Sequence, residues 1–182
     1  MSESAECFRR LLVDATAAID SAYFLLPVAY VDGGSVEQYR ERVYAYELYH
    51  QLRARWPRWP YSLGGEVDKS GHTIVRGGPL DNAKPDLLVH IPGQMTNLAV
   101  VEIKSLKPRA SHDEKEAFVW DVQKLIAFRE IGYEAAFMLV FGESADRVVG
   151  YGAELRRAGM ALDAVELWHH TRPAAPASVL QW

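Results

Sequence analysis

The chain of 182 residues is 49% hydrophobic and 24% charged, which suits one globular domain with a sizeable core and leaves little for a second. Its single cysteine, Cys7, excludes an internal disulfide and a cysteine-based zinc centre, and the net charge of −4 supplies no general attraction for nucleic acid. No apolar run reaches the roughly 20 residues that span a bilayer, and MSESAECFRR lacks the charged-then-apolar order of a signal peptide, so a cytoplasmic protein with no membrane partner is expected.

Ala5–Asp20, rich in alanine and leucine, reads as a helix, and Tyr23–Tyr30 is apolar and ambiguous. After a turn at Asp32-Gly33-Gly34, Ser35-x-x-Gln38 has the form of a capping box, which predicts a helix from Ser35 that stops before Pro57. The glycine- and proline-rich stretch from Pro57 to Pro85 has room for a strand or hairpin near Gly65–Val75. Asp86–Ile91 and Leu98–Lys104 then read as antiparallel strands joined through Pro92-Gly93.

Asp113–Ile131 reads as a helix that is apolar over much of its circumference. Tyr133–Phe141 is a continuous apolar run, expected of a strand covered on both faces. Strand, helix and strand from Leu98 to Phe141 therefore predict a right-handed βαβ crossover. A helix over Ser144–Ala158 and a strand over Ala164–His169 follow, and Pro173 and Pro176 mark the last twelve residues as an irregular tail. The sum is an α/β fold, a mixed central sheet flanked by helices.

The segment AVVEIKS, Ala99–Ser105, carries the chemistry. Side chains alternate along a strand, so Glu102 and Lys104 share one face and Val101 and Ile103 the other. Alone, Glu102 and Lys104 read as a surface ion pair worth about 0–1 kcal/mol. Asp86 changes the reading, because the hairpin brings it alongside Glu102. Two carboxylates so placed suit a hard divalent cation such as Mg²⁺ or Mn²⁺. Lys104 is then placed to orient water or to stabilise transition-state charge, which is equipment for phosphodiester hydrolysis.

Pro85, Asp86, Glu102 and Lys104, in this order and on these strands, resemble the PD-(D/E)XK nuclease superfamily. The resemblance implies a restriction-endonuclease-like core (α-β-β-β-α-β) over about 35–141. Residues 1–34 are then an N-terminal helical extension, and 142–182 a helix-strand extension, of a single domain. It implies a Mg²⁺-dependent deoxyribonuclease with DNA as its partner, and metal binding by Asp86 and Glu102. Members often carry a glutamate on the first core helix, which matches Glu47, and a polar residue on the helix after the lysine strand, for which Gln123 and Lys124 are candidates. The other reading of Glu47 is a solvated residue paired with Gln51. The alternative function is a non-catalytic module of the same fold, binding nucleic acid or serving a homodimer or larger complex.

Arg53–Tyr61, RARWPRWPY, either grips nucleic acid through stacking aromatics and arginines or pins a helix end to the core; the second is expected. His50, His72 and the pair His169-His170 are read as ordinary histidines. Asp68, Lys69 and Arg76 precede Asp86 and are further candidates to line its cleft.

Overall fold

The computed structural model describes residues 2–29, 33–66, 80, 83–105, 112–142 and 145–182. Five α-helices are described: α1 (Glu3–Thr16), α2 (Ser21–Phe24), α3 (Glu41–Ala54), α4 (His112–Glu130) and α5 (Ala145–Arg157). The strands are β1 (Leu26–Ala29), β2 (Ser35–Gln38), β3 (Ser62–Gly65), β4 (Leu87–His90), β5 (Asn97–Ser105), β6 (Ala135–Phe141), β7 (Glu166–His170) and β8 (Ser178–Leu180). None of the described helices is long and apolar enough to cross a membrane.

One six-stranded sheet, in the order β3-β4-β5-β6-β7-β8, organises the chain. The β3–β4, β4–β5 and β7–β8 pairs are antiparallel; β5–β6 and β6–β7 are parallel. The order α3-β3-β4-β5-α4-β6 is thus helix, three strands, helix, strand. The predicted strand–helix–strand order is present, β5 and β6 being parallel with α4 between them in sequence, and every residue of β6 is buried. Gly93, at φ +74°, turns the chain between β4 and β5.

Helices cover both faces. On one face Phe8 and Leu12 of α1 and Tyr44, Leu48 and Leu52 of α3 pack with Val101, Ile103, Phe137 and Leu139. On the other, Phe118, Val122 and Leu125 of α4 and Val148 and Leu155 of α5 pack with Val100, Met138 and Val140. Alternation along β5 and β6 feeds both cores at once, which explains why the apolar stretches there are unbroken.

Two predicted elements differ. The helix expected from Ser35 begins at Glu41, because residues 35–38 form β2 and pair in register with Leu26–Ala29. A strand partner outweighs a local capping pattern here, and α3 starts without a side-chain cap at Arg40. The supposed irregular tail supplies β8, fixed where Ala177 N–H donates to Thr16 Oγ1 (2.9 Å) and Trp182 Nε1 donates to Val165 O (2.6 Å). β3 (Ser62–Gly65) meets the strand or hairpin expected around Gly65–Val75 only at Gly65; residues 67–75 of that expectation, and Asp68, Lys69, His72 and Arg76, lie outside the described residues.

Candidate functional site

The edge of β5 nearest its C-terminus gathers charges from three elements. Leu87 of β4 is paired with Val101 of β5, so Asp86 stands beside Glu102 one step further along the ladder. Asp86 Oδ2 accepts a hydrogen bond from Ile103 N–H at 2.7 Å, which fastens the carboxyl to β5. Pro85 and Leu87 flanking it are buried.

Glu102 and Lys104 point to the side of the sheet covered by α4. Neither behaves as a surface ion-pair residue. Glu102 is 3% exposed, and its Oε1 lies 2.8 Å from Lys124 Nζ. Lys104 Nζ lies 2.6 Å from Asp121 Oδ2, and Lys124 Nζ is also 2.8 Å from Asp121 Oδ1. Asp121 and Lys124 sit three residues apart on α4, on the same helical face, so one helix supplies both partners. From the opposite layer Glu41, in the first turn of α3, reaches over the strand end. Its Oε1 accepts from Ser105 N–H (2.9 Å) and from Ser105 Oγ–H (3.0 Å), and its Oε2 lies 3.8 Å from Lys104 Nζ.

The electrostatics follow from counting these groups. Asp86, Glu102, Asp121 and Glu41 face Lys104 and Lys124, so the described cluster sets four carboxyl groups against two ammonium groups. Burial pushes the Asp86 carboxyl up to about 6; the Ile103 hydrogen bond and both lysines oppose that rise, and Asp121 adds to it. Burial and then the charge of Asp86 hold Glu102 well above the usual carboxylate range, against the pull of Lys124. Burial alone would lower both lysines. Asp121 and Glu41 reverse this for Lys104, and Glu102 and Asp121 reverse it for Lys124, so both remain firmly ammonium.

Asp86, Glu102, Lys104 and Lys124 therefore belong to one constellation. Glu47 and Gln123 do not share it. Glu47 accepts a hydrogen bond from Gln51 Nε2 at 2.5 Å and lies about 120° around α3 from Glu41. Gln123 is exposed beside Trp120 on the outer face of α4. Two members, Asp121 and Glu41, escaped sequence reasoning; the available signal for Asp121 was its spacing to Lys124.

Asp86 and Glu102 are the adjacent carboxylates that suit a divalent cation, since Mg²⁺ is commonly held by one or two carboxylates and otherwise by water. Among the described residues, no three or more His, Cys, Asp or Glu side chains converge on one metal position. The remaining candidates take structural roles. Trp56 and Trp59 pack against the core while Arg53, Arg55 and Arg58 are exposed, as expected of a pinned helix end. His50 is exposed; His169 Nε2 contacts Gly142 O at 2.7 Å and His170 Nδ1 contacts Tyr44 Oη at 2.7 Å, both histidines being buried.

No protein-family model matches the chain, and no curated protein matches it.

Proposed function

We propose that the protein is a metal-dependent nuclease of the PD-(D/E)XK type, hydrolysing phosphodiester bonds in DNA. The observation that carries this reading is the juxtaposition of two buried carboxyls, Asp86 beside Glu102 at the strand end with Lys104 on the Glu102 face, in a cluster where, among the described residues, four acids meet two lysines. Leaving carboxylates so poorly compensated costs stability, and a divalent cation is the ligand that relieves it. The helix–three strands–helix–strand order supports the same reading.

Asp86 and Glu102 would hold Mg²⁺ or Mn²⁺, whose contribution is to offset charge on the phosphoryl oxygen. Lys104 is a cation with donors to spare. Asp121 at 2.6 Å aims its ammonium, leaving protons to orient the attacking water or to bond a phosphoryl oxygen. Lys124 neutralises part of the Glu102 charge, and Glu41 ties the strand end to α3 through Ser105.

The test is incubation of the purified protein with supercoiled, linear and single-stranded DNA in Mg²⁺, Mn²⁺ or EDTA, beside Asp86→Ala and Lys104→Ala. Cleavage that needs metal and disappears in both variants is expected. Absence of both cleavage and calorimetric metal binding by the wild type overturns the reading.

One observation favours a second reading. Lys124 lies 2.8 Å from both Glu102 and Asp121, so an internal cation already serves these carboxylates. In that case the fold is a non-catalytic module, for nucleic acid or for a larger complex. Lys124→Ala separates the two: it leaves a bare anionic site in the module, and a site with altered metal affinity in the nuclease.

A further inference from the structure

Beside the charged cluster, α3 and the ends of β3 and β4 enclose a pocket of about 500 Å³. That volume falls in the range of small-ligand sites. Its floor includes Glu41 and Asp86, so it opens onto the carboxylates described above. Its wall is a stripe of α3, Arg42, Tyr46 and Tyr49, at the i, i+4, i+7 spacing that stacks side chains along one helical face.

The two tyrosines differ in how they are held. Tyr49 is half-buried, and its hydroxyl donates to Leu63 O at 3.4 Å, fixing the ring against β3. Tyr46 is 60% exposed, a large aromatic left in solvent at the rim. Arg42 lies 3.4 Å from Glu66 on the β3 side, an ion pair between two exposed side chains across the pocket. Gly65 lies against Tyr49: a Cβ there would be 3.7 Å from the Tyr49 ring and 3.7 Å from Asp86 O, ordinary van der Waals contact, so a flat base has room over the exposed Tyr46 and not between Tyr49 and Gly65. The result is an open cleft with an aromatic wall, a glycine at its edge, and Glu41 and Asp86 in its lining.

Resting on the nuclease reading, we propose that this cleft is a subsite for one unpaired nucleobase of the substrate strand, next to the phosphate handled at Asp86. An aromatic wall accepts any base face, which makes it tolerant of sequence. A base inside a duplex is already stacked and paired and must be extruded to enter. The substrate is therefore nucleic acid that is single-stranded at the scissile position. Glu41 and Asp86 repel a phosphate that no cation screens, so the phosphate would go to the cation held at Asp86 and the tyrosines are left for the base.

Binding tests the subsite apart from catalysis. A labelled oligothymidine, an abasic strand of equal length and a duplex are titrated by fluorescence anisotropy, with Ca²⁺ replacing Mg²⁺ to suppress turnover. The wild type is expected to bind the oligothymidine about 10-fold or more tighter than the abasic strand. Tyr46→Ala and Gly65→Leu are expected to erase that difference, while Tyr46→Phe keeps it. Equal wild-type affinity for the intact and abasic strands, no binding to either, or a difference that survives both variants overturns the subsite. Metal-dependent cleavage alongside any of those results leaves the nuclease standing without the subsite; base-dependent binding without cleavage under any metal leaves a single-strand-binding pocket and removes the nuclease.

Discussion

Two groups of charged side chains sit on opposite faces of the sheet, two strands apart, and are built on different principles. At the start of β7, Arg9 Nε lies 2.9 and 3.0 Å from the two oxygens of Glu166, and Trp168 Nε1 donates to the second at 3.1 Å. Arg9 meets Glu166 in the paired geometry that guanidinium and carboxylate favour, exposed Glu6 adds a second contact at 3.3 Å, and hydrogen bonding to Glu166 raises the Arg9 pKa. At the end of β5, two lysines serve four carboxylates, and Asp86 and Glu102 are left with raised pKa. A well-formed Arg–carboxylate pair, with its extra acid in solvent, holds α1 to the sheet. An unbalanced cluster is a stability cost, and costs of that kind gather where binding or chemistry supplies the missing charge.

The sharpest way to break this comparison is through activity. Lys104→Ala is expected to lower kcat for metal-dependent DNA cleavage by about 10²–10³-fold, the usual loss when one transition-state donor goes. Arg9→Met should leave kcat within about 2-fold once both proteins are assayed well below their melting temperatures. Equal losses in the two variants would mean that the β5 cluster is a structural feature like the other.

Stability should move in opposite directions in the two groups. In Asp86 the carboxyl pKa rises from 3.8 to about 6 on folding, so the folded state holds that proton more tightly. This group's contribution is therefore most favourable below about pH 4 and is lost as pH climbs through about 6. Asp86→Asn removes the loss and is expected to stabilise the metal-free protein at pH 8 by on the order of 2–3 kcal/mol, a rise of several degrees in Tm. The gain should vanish near pH 4, and Mg²⁺ should close the gap by stabilising only the wild type. Glu166→Gln is expected to destabilise by about 1–3 kcal/mol, because it strips a charged partner from half-buried Arg9. Denaturant melts at pH 4 and pH 8, with and without Mg²⁺, check all of these.

What the sequence disclosed follows from the range of each interaction. Period-two alternation told where Glu102 and Lys104 point, and a short hairpin told that Asp86 meets Glu102, because both depend on neighbours within one supersecondary unit. Asp121 was missed since α4 is apolar and charged almost all round and offers no single stripe to read. Glu41 was missed since β2 lies where the helix was expected to begin, so Glu41 seemed mid-helix when it is in the first turn. The tail around Pro173 was misjudged for a similar reason: Thr16, far away in sequence, is the residue that accepts from Ala177. Contacts between distant segments leave no local periodicity.

The smallest expected effect bears on the two glutamates of α3. The family resemblance points to Glu47, whereas the geometry points to Glu41, which touches both Ser105 and Lys104. Glu41→Gln keeps an oxygen to accept from Ser105 but loses the negative charge 3.8 Å from Lys104. The ammonium then leans more heavily on Asp121, and its aim shifts. A fall in kcat of about 10-fold is expected, with KM little changed, in the range seen when an outer partner of a catalytic group is removed. Glu47→Gln alters only a contact with Gln51 on the far side of the turn, and should stay within about 2-fold. The reverse ranking would mean that α3 rotates when DNA and metal bind, bringing Glu47 to the strand end and carrying Glu41 away. It would also tie the tyrosine cleft to that rotation, since Tyr46 and Tyr49 ride on the same helix.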